Sequence, residues 1–78
     1  MSETILLTQI GAKIKELRTT KNMTQNELAL RCNFEKASMS RIETGQTNPT
    51  IRTLFKISNA LEVQISDLFA ISPMSVSA

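Results

Sequence analysis

The chain predicts an all-α fold, one compact domain of five short helices around a single small core. Three features carry that expectation. Leu7, Ile10, Ile14 and Leu17 recur at spacings of three and four, which is one face of an α-helix. Thr24 stands three residues ahead of Glu27, the spacing of a reciprocal helix cap. Period-two alternation long enough for a useful strand occurs nowhere in the sequence.

The first helix follows the Leu7–Leu17 stripe, with Ser2 or Thr4 able to cap its start. Gly11 interrupts it as a weak point, costing about 1 kcal/mol relative to alanine. Lys21 and Asn22 end it, since cations suit a helix C-terminus and Asn accepts a left-handed cap. The second helix starts at the Thr24–Glu27 box. Met23 and Leu28 flank that box as a hydrophobic staple, and Leu28 and Cys32 face inward. Asn33 then breaks the run because it tolerates positive φ.

The third helix spans about Lys36–Thr44 and closes at Gly45. Phe34 and Met39 staple its start, while Glu35 is a mediocre cap whose charge suits a helix N-terminus. Gln46-Thr47-Asn48-Pro49 is a polar turn. Thr50 caps a fourth helix with Ile51, Leu54, Ile57 and Leu61 on one face, and Glu62 stands where glycine is the easier stop. A fifth, short helix starts between Gln64 and Ser66 and carries Ile65, Leu68 and Phe69. The domain is expected at residues 1–71, and the Pro- and Ser-containing stretch 72–78 as a flexible tail.

A chain of 78 residues holds one domain and buries only about 60–65% of its unfolded surface. Cys32 is the single cysteine, so no disulfide adds stability, and a lone thiol suits a reducing compartment. Self-association is then the natural source of further buried surface. The longest uncharged run, Leu68–Ala78, is 11 residues, far below the roughly 20 needed to span a bilayer. No basic segment precedes an apolar core at the N-terminus, and Glu3 argues against a signal peptide. A cytoplasmic protein is expected, with no membrane partner.

Catalysis is not expected. The sequence has no histidine, no Gly-rich phosphate loop and no metal-ligand spacing. Neither a cofactor, a metal nor a small-molecule ligand is called for. The net charge of +2 permits a nucleic-acid partner without demanding one.

The third helix carries the functional signal. At about 100° per residue, Met39 and Ile42 define its inward side. Ala37, Ser40, Arg41 and Thr44 point away, with Lys36 at the edge. A docked recognition helix uses its N-terminal half on base edges, which makes Lys36, Ala37 and Arg41 the candidate base readers, followed by Ser40. Arginine and lysine suit guanine O6 and N7, and an alanine methyl suits the thymine methyl. Thr24 and Gln25 open the second helix, where free N–H groups and the dipole favour an anion. With Gln46, Thr47 and Asn48 they are the candidate phosphate contacts, setting register rather than sequence choice. Arg18 and Glu43 sit at the edges of buried faces and suit an Arg–carboxylate fork between the first and third helices. Read without their surroundings, Lys36 and Arg41 are more readily an ordinary solvated helix face.

Taken together, Thr24-Gln25-x-x-Leu28-Ala29, Met39-Ser40-Arg41-Ile42-Glu43-x-Gly45, Asn48-Pro49-Thr50-Ile51-x-Thr53-Leu54, Leu61-Glu62-Val63 and Asp67-Leu68-Phe69 resemble the Cro/C1-type (XRE-family) helix-turn-helix domain. The resemblance covers about residues 6–71. It implies a lambda-repressor-like domain whose helix-turn-helix motif spans about 24–44, and a homodimer on palindromic double-stranded operator DNA. It implies base contacts at Lys36, Ala37 and Arg41, phosphate contacts at Gln25, Gln46 and Asn48, and an Arg18–Glu43 salt bridge. Three positions depart from the family pattern: Asn33 and Glu62 stand where glycine is usual, and Glu35 where a Ser or Asp cap is.

The function expected is sequence-specific transcriptional regulation. Within residues 24–50, Arg31, Lys36 and Arg41 are balanced by Glu27, Glu35 and Glu43. Charge alone therefore binds DNA weakly, and two subunits on two half-sites are expected, joined through Ile65, Phe69 and Ile71. The competing class is a protein-interaction module, such as an antitoxin whose main partner is a protein.

Overall fold

The computed structural model describes residues 2–70. Ile71 and the tail expected at 72–78 lie outside the described residues. Four α-helices, α1 Glu3–Thr20, α2 Gln25–Cys32, α3 Lys36–Glu43 and α4 Ile51–Leu61, are followed by a 3-10 helix, Ile65–Phe69. No strand occurs among the described residues. Helix α3 lies against both α1 and α2, while α4 packs on α2 and on the 3-10 helix.

Three of the four α-helices begin at a residue whose side chain partners a free N–H. Ser2 caps α1 by accepting from the Ile5 N–H at 3.1 Å. Thr24 and Glu27 form the reciprocal box on α2, at 3.0 and 3.1 Å. Thr50 caps α4 through the Thr53 N–H at 3.2 Å. The side chain of Glu35 makes no cap bond on α3. There the start is held by apolar packing instead, with Phe34 against the core and Met39 fully buried.

The helix ends share one device. Asn22, Asn33, Gly45 and Glu62 all have positive φ, between 59° and 75°. The residue after each sends its N–H back five positions, from Met23 to Arg18, Phe34 to Ala29, Gln46 to Arg41 and Val63 to Ser58, at 2.8–3.1 Å. This is the Schellman pattern, which satisfies the last carbonyls while turning the chain sharply. It allows four helices to fold within so short a span. Asn tolerates the left-handed region and Gly prefers it. Glu62 has neither advantage and carries the strain.

The core gathers residues from every element. Ile10 and Ile14 come from α1, Leu28, Ala29 and Cys32 from α2, Met39 and Ile42 from α3, Leu54, Ile57 and Leu61 from α4, and Leu68 from the 3-10 helix. Met23, the residue before the α2 cap, is buried with them.

The short fifth helix is present as expected, and three other expectations change. That fifth helix is a 3-10 helix. Its five residues start from a box between Gln64 and Asp67, and a single tight turn is enough to seat Leu68 in the core. Ile51 is 66% exposed and does not share the buried α4 face. As the first residue of α4 it projects beyond the core, and Ser58 takes a place on that face with its hydroxyl bonded to the Phe55 carbonyl at 2.8 Å. Helix α3 stops at Glu43, with Thr44 as its cap. Gly11 is not a weak point, because the backbone of α3 crosses it directly. A Cβ there would overlap the Ile42 carbonyl oxygen and come within 2.6–2.7 Å of the Glu43 carbonyl. Gly45 meets the same constraint from the other direction, where a Cβ would lie 2.7 Å from Thr8 Cα.

Two glycine substitutions separate these effects, both read by urea unfolding followed by circular dichroism. Gly11→Ala destabilises by about 1–3 kcal/mol through overpacking, despite alanine's higher helix propensity. Glu62→Gly stabilises by about 0.5–1 kcal/mol, because relief of left-handed strain exceeds glycine's added chain entropy.

Candidate nucleic-acid interface

Helix α3 is split lengthwise by its packing. Met39, Ile42 and Glu43 are buried. Lys36, Ala37 and Arg41 are exposed and Ser40 is half-buried, so the four base-reading candidates lie off the core side. Among the described residues the ion pairs are Lys13–Glu16 and Arg18–Glu43. Lys36 and Arg41 belong to neither pair and are exposed to solvent.

One flank of α3 meets the start of α2 through a buried polar cluster. Arg18 and Glu43 are 8% and 5% exposed. Arg18 Nε donates to Glu43 Oε2 at 2.7 Å and Nη2 donates to Oε1 at 3.0 Å, the two-pronged fork expected from the sequence. Two further bonds were not legible in sequence. Arg18 Nη1 donates to the Met23 carbonyl at 2.9 Å, and Gln25 Nε2 donates to Glu43 Oε1 at 3.1 Å. Gln25 and Glu43 lie 18 positions apart, and no local pattern links residues at that separation. Thr24 is committed to its capping box, so what it turns outward is the helix start itself.

The opposite flank of α3 faces the α3–α4 loop. An open groove of about 350 Å³ runs between them, lined by Ser38, Arg41 and Ile42 on one wall and by Thr47–Thr50 and Thr53 on the other, with Phe34 at one end. No carboxylate lines it and Arg41 supplies its single cation. Thr47 and Asn48 are thus brought beside Arg41, while Gln46 is exposed and does not line the groove. Ser38 and Thr53 are lining residues that sequence reasoning did not single out. The usable signal for Ser38 was its place three residues before Arg41, on the same side of a helix.

Glu43 lies to one side of Met39 around α3, and Ser38 and Ile42 to the other. The polar start of α2 and the polar α3–α4 loop consequently flank the exposed α3 face on opposite sides.

Of the residues expected at a dimer contact, Ile65 and Phe69 fall within the described residues. Ile65 is half-buried and packs against this chain's own core. Phe69 is 42% exposed. Ile71 lies outside the described residues. Leu30, Ile51 and Phe55 are more exposed than Phe69. Cys32 is buried, and its Sγ points at the Lys56 carbonyl at 3.9 Å. Burial pushes its thiol up, opposed by the nearby Lys56 charge, so it sits in the core as a neutral thiol. Among the described residues no cluster of metal-ligating side chains forms, and no helix is long and apolar enough to cross a membrane.

This arrangement is that of a helix-turn-helix domain of the transcriptional-regulator class. The chain belongs to the helix-turn-helix (HTH_3) family, whose model matches residues 14–68. It is 41% identical over 59 residues to the control protein C.BamHI of Bacillus amyloliquefaciens, covering 74% of this chain and 73% of that one. It is 37% identical over 57 residues to an uncharacterized HTH-type transcriptional regulator of Archaeoglobus fulgidus, covering 73% and 80%. Its fold is similar to the restriction-modification controller protein C.AhdI of Aeromonas hydrophila, with a TM-score of 0.79, 30% identity, and coverage of 81% and 96%.

The buried cluster gives a stability prediction. Glu43→Ala leaves the Arg18 guanidinium buried without its counter-charge and costs about 3–5 kcal/mol, whereas Arg18→Met with Glu43→Leu keeps most of the native stability. Unfolding midpoints in urea compare the two.

Proposed function

We propose that this protein is a sequence-specific DNA-binding regulator of transcription that acts in the cytoplasm as a homodimer on a palindromic operator. One observation carries the reading: the exposed α3 face of Lys36, Ala37, Ser40 and Arg41 is flanked on both sides by polar, donor-bearing elements. A duplex major groove has that layout, with base edges in the middle and a phosphate backbone along each side, about 12 Å apart. In this reading α3 enters the groove. Gln25 and the start of α2, at Thr24, meet one backbone, and Gln46, Thr47 and Asn48 meet the other. We assign residues 1–71 to the DNA-binding unit. The relatives' names, a control protein and transcriptional regulators, agree with this assignment.

The dimer follows from energetics. The motif region is electrically neutral, so a single α3 gains little from counterion release. Two copies joined rigidly and spaced by about one helical turn add their contacts without a second loss of translational freedom. Phe69, with Ile65 and Ile71, is our candidate for the joining surface. The exposed apolar side chains Leu30, Ile51 and Phe55 favour a second reading, in which a protein partner is the main target.

Selection of bound fragments from random DNA, followed by gel shift, decides between them. We expect a palindrome whose half-sites are centred about 10 base pairs apart. No enriched sequence from an intact, folded protein overturns the proposal. On the selected site, Arg41→Ala costs about 1–3 kcal/mol per contact and relaxes one position in each half-site. Gln25→Ala instead weakens all sequences evenly. An unchanged selection profile for Arg41→Ala removes it from the base readers.

A further inference from the structure

We propose that the buried Arg18–Glu43 pair is a positioning device for the phosphate-facing end of α2, and that Glu43 acts in DNA binding by orienting Gln25. The inference rests on the DNA-binding reading above.

The geometry joins two parts of the interface through one side chain. Glu43 is the last residue of α3, two positions after the exposed Arg41. Its Oε1 accepts from both Arg18 and Gln25, at 3.0 and 3.1 Å. Arg18 in turn holds Met23 at both backbone groups. Its Nη1 donates to the Met23 carbonyl at 2.9 Å, and its own carbonyl accepts the Met23 N–H at 3.1 Å. Met23 and Gln25 are the residues on either side of the Thr24 cap. The start of α2 is thus fastened on both sides, to α1 through Met23 and to the end of α3 through Gln25.

The chemistry of the Gln25 bond is directional. An ionised carboxylate only accepts, so the Gln25 amide must turn its NH2 toward Glu43. One amide hydrogen is used there, which leaves the other for a further acceptor. Released from Glu43, the same side chain has three rotatable bonds to order before it reaches a phosphate. A buried ion pair contributes little net stability over an apolar replacement of the same shape. Its distinctive product here is register, the placement of the phosphate contact relative to the base-reading helix.

A double-mutant cycle in DNA affinity tests this, with the selected operator as probe and at a temperature where circular dichroism shows each variant folded. In the native background, Gln25→Ala is expected to weaken binding about tenfold. In the Arg18→Met/Glu43→Leu background, binding is already weakened by a similar factor, and adding Gln25→Ala costs less than about twofold. A purely structural role for the pair predicts the same Gln25→Ala loss in both backgrounds, and that result overturns the inference while leaving the DNA-binding reading intact. If that apolar pair does not fold, the cycle is run in Arg18→Leu/Glu43→Met, which likewise leaves Gln25 without an acceptor, and is judged by the same criterion. If the unaltered protein selects no DNA, the reading itself fails and the inference falls with it.

Discussion

Four hydrogen bonds meet at Arg18 and Glu43 and tie together three helices of this small domain. The pair sits where α1, α3 and the start of α2 converge, and the other features of the motif are arranged around it. Gly11 lets the α3 backbone come close enough to α1 for the fork to close. Gly45, pressed against Thr8, turns the chain away immediately after Glu43. Met23 is held by Arg18 from one side and buried in the core on the other. The polar contact and the two glycine approaches form one constraint, the height of α3 above α1. That height sets how far the Lys36–Arg41 face stands out from the molecule.

The energetic logic differs between the two halves of the molecule. The apolar core supplies stability in the ordinary way, with Ile14, Leu28, Met39, Ile57, Leu61 and Leu68 essentially inaccessible to water. The polar cluster supplies little of it, because the desolvation of two charges offsets their attraction. What a directional fork adds is uniqueness. A core of Leu and Ile tolerates small shifts between helices, whereas a two-pronged guanidinium–carboxylate contact holds only in one arrangement. A reader of base edges needs that arrangement, since its contacts are made at hydrogen-bond distances.

Much of the architecture was legible in the residues. The capping box at Thr24, the staple at Met23–Leu28 and the left-handed stops at Asn33 and Gly45 are local devices, and local devices survive folding unchanged. The exposed face of α3 was legible for the same reason, since helical periodicity assigns sides once Met39 and Ile42 are known to point inward. The misreadings share one cause. Gly11 looks costly within α1 alone, and becomes necessary only when α3 crosses it. Ile51 looks buried on a helical wheel, but the core ends before the first turn of α4.

Most helix limits, the caps and the sides of α3 follow from spacings of a few residues, because propensity and hydrogen bonding within a turn act at short range. The Gln25–Glu43 bond, the grip of Arg18 on Met23, and the groove between Ser38 and Thr53 arise only in three dimensions. They join positions many residues apart, and their existence depends on how closely whole helices approach one another. The exposed face of α3 belongs to the first group. Its placement between two polar flanks belongs to the second, because it needed α2 and the α3–α4 loop on opposite sides of one helix.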